Sequence, residues 1–177
     1  YFRQTGAKVQ TFRRNVGLES ALKSNPDLII HSPGPGYPGD FGVPEYVKKI
    51  APLKIPQFGV CLGLQGIVEA FGGKLDVLSQ PHHGKYWNLS HNGTGIFEGV
   101  QTPCRVGGYH SLYATAKDIP KCLEVIATNE LDLVMAIKHR KEPIAAVQFH
   151  PESILSLDDN LGKRIIENTL KTLLIKN

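Results

Sequence analysis

The sequence predicts an α/β protein: an open, mostly parallel sheet flanked by helices, with a small antiparallel addition. Two observations carry this. In the first half, compact apolar runs such as Asp27–His31 and Pro56–Val60 alternate with segments whose apolar residues recur at helical spacing, the pattern of parallel strands joined by right-handed crossovers. In the second half, short apolar runs follow one another across brief turns, the pattern of antiparallel strands.

Taken in order, Tyr1–Thr5 reads as the tail of a helix, Gly6 as its C-cap and Ala7–Phe12 as a strand. A domain rarely begins inside a helix, so residues 1–177 are expected to form one domain that is N-terminally incomplete. Leu18–Lys23 is a short helix. Asp27–His31 is a strand that runs into Ser32-Pro33-Gly34-Pro35-Gly36-Tyr37-Pro38-Gly39. No helix or strand can hold that run, because proline lacks the donor and glycine is entropically costly, so it is a shaped loop at a strand's C-terminal end. Val43–Ile50 is a helix stopped before Pro52, and Pro56–Val60 a strand. Gly63–Phe71 is a helix with Leu64, Ile67, Val68 and Phe71 on one face, closed by Gly72-Gly73. Leu75–Leu78, Lys85–Ser90, Arg105–His110, Leu123–Thr128, Leu133–Lys138 and Ile144–Phe149 read as strands. Asn160–Leu174 is an amphipathic terminal helix, with Leu161, Ile165, Thr169 and Leu173 stepping by four.

Composition excludes several functions. At 177 residues, 41% hydrophobic and 20% charged, the chain can bury a core and is not a disordered segment. Twenty Lys and Arg against 16 Asp and Glu leave +4. The basic residues are scattered apart from the pair Arg13-Arg14, without the stripe that a nucleic-acid partner requires. The longest apolar runs are far short of the ~20 residues of a membrane span. Cys61, Cys104 and Cys122 are odd in number and include no close pair, which fits neither a disulfide framework nor a zinc site and points to a reducing compartment. With no signal peptide, a cytoplasmic location is expected. His82, His83, His91 and His139 have no spacing that makes a metal site, and none is expected.

The chemistry collects at predicted strand ends, where open α/β sheets place their sites. Gly59-Val60-Cys61-Leu62-Gly63 lies between a strand and a helix. This is a nucleophile elbow with cysteine in place of serine: a strained turn lifts the central side chain over the sheet, and flanking glycines avoid collision. The helix behind it favours thiolate, and the Leu62 N–H can donate to an oxyanion. The plain alternative is a small buried thiol. Val147-Gln148-Phe149-His150-Pro151-Glu152-Ser153 supplies a base. His150 and Glu152 are two apart and share a face in extended chain, so the carboxylate can orient the imidazole; otherwise they are two polar residues of a turn. The unobstructed N–H groups of Pro33-Gly34-Pro35-Gly36 can hold developing negative charge, unless the loop is only a connection. Tyr109-His110-Ser111-Leu112 either contacts a substrate or caps the next turn. Cys104 and Cys122 read as inert thiols in or beside the core.

These four motifs, in this order and over nearly the whole chain, resemble the class I glutamine amidotransferase domain. Within that family, Ile67–Gly73, His83-Gly84-Lys85, Tyr109–Leu112 and Met135–His139 are similar to the branch that serves anthranilate synthase. Gly63–Gln65 and Tyr109–Ala114 are most similar to versions fused behind the chorismate-processing subunit. The resemblance implies that Cys61 attacks the side-chain amide of glutamine to give a glutamyl thioester. It implies that His150, oriented by Glu152, serves as acid and then base, and that the Gly36 and Leu62 N–H groups hold the oxyanion. Gly34, Gln65, His110, Ser111 and Leu112 match positions that hold the glutamine. Ammonia then passes through a channel to a chorismate-using synthase, a separate subunit or a fused domain, for anthranilate formation in tryptophan biosynthesis. No cofactor is implied in this domain; a synthase partner of the family uses Mg.

The alternatives are an aminodeoxychorismate or other amidotransferase synthase as the acceptor, or a non-catalytic partner-binding domain. The sequence departs from the family pattern in four places. The first strand and its acidic-Ser-Phe loop are absent. Leu64 stands where His is usual, and Gly108 where Arg is usual. Leu155–Asn160 replaces a Gly/Thr-rich stretch.

Overall fold

Parallel pairing is carried by three short strands that are almost wholly buried: β1 (Ile29–His31), β2 (Gln57–Val60) and β7 (Ile144–Val147). Strands covered on both faces read as continuous apolar runs, and β2 and β7 are buried at every position. The computed structural model describes residues 1–13 and 16–174, so Arg14 of the basic pair lies outside the described residues. The remaining strands are β3 (Asp76–His91), β4 (Cys104–Tyr113), β5 (Leu123–Asn129) and β6 (Val134–His139). Together they form one sheet ordered β1-β2-β7-β6-β5-β3-β4. The α-helices are α1 (Leu18–Leu22), α2 (Val43–Ile50), α3 (Leu62–Ala70) and α4 (Leu161–Leu174).

The predicted open α/β sheet is therefore present, with a larger antiparallel share than expected: two pairings are parallel and four antiparallel. One reason is β3. The segments Leu75–Leu78 and Lys85–Ser90 are a single strand of 16 residues, with register shifts between Val77 and His82 and between His83 and Lys85. Pro81 and Gly84, which lie between the two predicted segments, fall at these register shifts.

The alternation of β7 divides the interior into two cores. Ala145 and Val147 join the cluster that holds Leu161, Ile165, Ile166 and Leu173 of α4. Ile144 and Ala146 join the cluster built from Val43 and Val47 of α2 and Leu64, Ile67 and Val68 of α3. Helices thus cover both faces of the sheet.

At the N-terminus, Phe2–Thr5 is a short 3-10 helix, capped by Gly6 at φ 87° with its N–H on the Arg3 carbonyl. Phe2 packs edge-on against Phe58, with ring centroids 6.3 Å apart. Ala7–Phe12 keeps the alternating burial of a strand in part, with Ala7 and Val9 half-buried between exposed neighbours, but joins no ladder. β1 is the edge of the sheet among the described residues, and Ala7–Phe12 does not pair with it.

Candidate active site

The C-terminal ends of the three parallel strands converge. β1 leaves into Ser32–Gly39, β2 into Cys61, and β7 into Gln148–Glu152. Cys61 has φ 53° and ψ −102° at the N-cap of α3, a conformation costly for a residue with a Cβ and typical of functional turns. Its N–H donates to the Val147 carbonyl at 2.8 Å, tying the turn to β7. The flanking glycines are sterically required. A Cβ at Gly59 would lie 2.6 Å from the Gly63 carbonyl carbon and 2.8 Å from Ile67 Cδ1, and one at Gly63 would overlap the His31 carbonyl oxygen. In the first turn of α3, the N–H groups of Leu62 and Gly63 have no carbonyl four residues back to bond. The Pro-Gly loop lies against the Leu62 side chain: a Cβ at Gly34 would be 3.0 Å from Leu62 Cδ2. Gly36 takes φ 74°, a left-handed conformation for which glycine is suited.

His150 is largely buried, and its Nδ1–H donates to Glu152 Oε1 at 2.7 Å, while Glu152 is half-exposed. Nε2 is buried without a hydrogen-bond partner among the described residues. Burial alone would lower the imidazole's pKa, but the neighbouring Cys61 and Glu152 outweigh it and push it up to about 9. Burial would likewise raise the Glu152 carboxyl, and the hydrogen bond with His150 outweighs this to hold it below its ordinary value.

The segment carrying this pair is clamped by Tyr109 and Ser153 of the motifs and by Gly107, Ser156 and Gly162, to which sequence reading gave no role. The His150 N–H donates to the Gly107 carbonyl at 3.1 Å. Ser156 Oγ donates to the His150 carbonyl at 2.8 Å and accepts from the Gly107 N–H at 3.0 Å. The Tyr109 ring stands edge-on to His150 at 5.0 Å, and its hydroxyl shares a 2.9 Å hydrogen bond with Ser153 Oγ. Gly107 must lack a side chain, since a Cβ would lie 2.8 Å from Ser153 Oγ. Gly162 in α4 must as well, since a Cβ would overlap the Pro151 carbonyl oxygen.

His110 is in a different situation from the one expected. It is 3% exposed, and both ring nitrogens are engaged inside the protein. Trp87 Nε1–H donates to Nε2 at 3.0 Å, and Nδ1–H donates to the Leu112 carbonyl at 2.9 Å. Tryptophan can only donate and a carbonyl only accept, so the neutral tautomer is fixed. That leaves the ring a structural position behind Leu112 in this conformation. Gln65, 2% exposed, donates Nε2–H to the same carbonyl at 3.3 Å and to Gln148 Oε1 at 3.2 Å. Leu112 is buried and Ser111 half-buried on β4. Gly108 has a local reason: a Cβ would lie 2.5 Å from Trp87 Nε1 and 2.6 Å from His82 Cδ2, where the two rings stack at 3.5 Å.

Burial lowers the His110 pKa to about 4. Its folded pKa lies below the unfolded value near 6.5, so the folded state binds fewer protons and loses stability as pH falls from 6.5 through about 4. The expected loss from this ring is roughly 2–4 kcal/mol. Urea unfolding at pH 7 and pH 4.5, with the ring followed by NMR, checks it; an imidazolium signal for His110 in folded protein at pH 5.5 would contradict it.

Cys104 is half-buried and its thiol is pushed up to about 11 by burial; Cys122 is also half-buried. Cavities of about 670 Å³, beside Arg105 and Arg164, and about 340 Å³, beside Ile144 and Thr172, lie outside the site. Among the described residues no three His, Cys, Asp or Glu side chains cluster to hold a metal ion, and no helix is long and apolar enough to cross a membrane.

The chain is similar over nearly its whole length to known proteins. The chain is 48% identical over 173 residues to an anthranilate synthase of Azospirillum brasilense, covering 98% of this chain and 24% of that protein. It is 42% identical to anthranilate synthase component 2 of Methanocaldococcus jannaschii, covering 97% of this chain and 88% of that one. It is 40% identical to a multifunctional tryptophan biosynthesis protein of Pichia angusta, of which it spans 46%. A crystal structure described as one of a GMP synthase subunit, from Thermoplasma acidophilum, superposes with a TM-score of 0.83 over 97% of this chain and 84% of that one; at 23% identity, this likeness speaks for the fold alone. The family model for class-I glutamine amidotransferases matches residues 1–172, and the chain belongs to that family.

Proposed function

We propose that this chain is a glutaminase that releases ammonia from glutamine and supplies it to a chorismate-using synthase for anthranilate formation. The observation that carries the reading is Cys61, held at φ 53° between Gly59 and Gly63, at the same sheet end as the His150–Glu152 pair. Cys61 Sγ attacks the side-chain carbonyl carbon of glutamine. The oxygen takes up negative charge where the Leu62 and Gly36 N–H groups can donate to it. The C–N bond then breaks, and imidazolium His150 gives a proton to the departing amine. A thioester remains. Neutral His150 next takes a proton from water, whose oxygen attacks the thioester and restores the thiol as glutamate leaves. Glu152 fixes the ring through Nδ1, which keeps Nε2 for these transfers. Gln65 turns Nε2 inward, so Oε1 is the atom it can offer a ligand. No step needs a cofactor in this chain.

The acceptor follows from likeness to the anthranilate synthase relatives, some of them longer proteins. Labelling with a diazo-ketone analogue of glutamine, mapped by peptide mass spectrometry, tests the site: an adduct on Cys61 is expected. Supplying chorismate with an anthranilate or an aminodeoxychorismate synthase subunit, then identifying the aminated product, tests the acceptor. Ring protonation sets a further expectation. Glutamate release falls as pH rises through about 9, where His150 loses the proton it gives to the amine. In Cys61→Ala the His150 midpoint drops, because burial still opposes the imidazolium and only Glu152 supports it. An unchanged midpoint by ring NMR would contradict this.

A further inference from the structure

We propose that Gln148 is a positioning residue for the nucleophile: the Leu112 carbonyl orients Gln65 and Gln65 orients Gln148, so that the Gln148 side-chain N–H faces the sulfur of Cys61. The inference rests on Cys61 being the glutaminase nucleophile.

The argument is one of polarity. An amide side chain can present either end to a neighbour, and which end faces a thiol decides whether it supports or repels a thiolate. The ambiguity is removed here by one group that has none. The Leu112 carbonyl can only accept, so Gln65 must face it with Nε2, and the same Nε2 also donates to Gln148. Gln148 therefore accepts through Oε1, and its Nε2 is left to point at Cys61 Sγ, 3.5 Å away. Gln148 is fully buried, so no water competes for that N–H. The bond strengthens as sulfur gains charge, because hydrogen bonds to an ionised acceptor are about twice as strong as neutral ones. His150 also borders this sulfur, so loss of the Gln148 donor is expected to weaken the nucleophile without abolishing it.

The test is the pH profile of Cys61 alkylation by iodoacetamide in the 177-residue chain, with glutaminase kinetics alongside. Gln148→Met keeps the side-chain length without the donor. Its alkylation midpoint is expected to rise by about one pH unit, which leaves about tenfold less thiolate below the midpoint. Its kcat below that midpoint is expected to fall about tenfold, with KM within twofold. Gln148→Glu, which turns an oxygen toward the sulfur, is expected to shift the midpoint further. A folded Gln148→Met whose profile superimposes on wild type overturns the role of Gln148 and leaves the glutaminase reading standing. Absence of diazo-ketone labelling in wild type overturns both. If neither variant folds, the wild-type chain decides: the Gln148 side-chain amide resonance, followed in ¹⁵N-glutamine-labelled protein, is expected to move with the same midpoint as Cys61 alkylation. An amide signal flat through that midpoint overturns the proposal.

Discussion

Cys61→Ala is expected to leave no measurable release of glutamate, while Cys104→Ala keeps nearly all of it. The contrast separates position from residue type. Cys61 sits at a strained turn above the ends of three parallel strands, beside an imidazole pushed up to about 9. Removing a nucleophile that works with a base as one unit costs on the order of 10⁴- to 10⁶-fold in rate. Cys104 lies on β4 with its thiol pushed up to about 11 by burial, so it holds almost no thiolate at neutral pH. Alanine tolerates the φ of 53° about as well as cysteine does, but it leaves the buried Gln148 N–H without its sulfur acceptor, so Cys61→Ala should fold and unfold at a moderately lower temperature than wild type. Glutamate assays on both variants, with thermal unfolding beside them, read the prediction. Equal loss from the two would remove Cys61 from its assigned role, whatever the family resemblance.

Much of this site was legible in the sequence because its parts are local. The elbow is five consecutive residues, and Gly59 is explained by Gly63 and Ile67 just after it, although Gly63 answers to His31 on the neighbouring strand. His150 and Glu152 stand two apart and meet at 2.7 Å. α2 is found at its predicted bounds because Gly42, Pro44 and the apolar spacing of Val43, Val47 and Ile50 all act within two turns. What was not legible lies between distant segments. Ala7–Phe12 has strand alternation, but whether it becomes a strand depends on a neighbour, not on its own residues. The predicted segments Leu75–Leu78 and Lys85–Ser90 merge into one strand because β4 continues alongside, with irregularities around Pro81 and Gly84. His110 stands in a polar motif at a strand end, which suggests contact with a ligand. Its neutralising partner is Trp87, 23 positions earlier on the neighbouring strand, and no periodicity announces that meeting. Ser156 and Gly107 are likewise joined only by the packing of a loop against β4. Ser156 falls within Leu155–Asn160, the stretch that departs from the family pattern, and that departure was the one available signal.

Gly162→Ala tests whether such a distant contact governs the chemistry. Gly162 is the second residue of α4, exposes no functional group and would pass as a good site for a helix-stabilising alanine, worth about 1 kcal/mol by propensity. In the fold that gain is overridden. A Cβ there would overlap the carbonyl oxygen of Pro151 and stand 3.2 Å from that of Ser156. Pro151 is the link between His150 and Glu152, and Ser156 Oγ holds the His150 carbonyl. Either α4 shifts, disturbing Leu161, Ile165 and Ile166 in the core, or the Pro151 peptide moves and carries the imidazole with it. Overpacking of this kind costs about 1–3 kcal/mol. A displacement near 1 Å at a catalytic group costs on the order of 100-fold in rate. The expected result is a lower unfolding temperature and a kcat reduced by about two orders of magnitude, with Cys61 still present. Gly39→Ala is the control: a Cβ there meets nothing within 4 Å, and stability should be nearly unchanged. The His150 ring resonance distinguishes the two routes. If the loop moves, the His150–Glu152 bond loosens and the imidazole pKa falls from about 9. If α4 moves instead, the pKa holds while stability drops. A Gly162→Ala protein as active and as stable as wild type would mean that α4 does not set the position of the His150 segment, and the clamp would then rest on Ser156 and Gly107 alone.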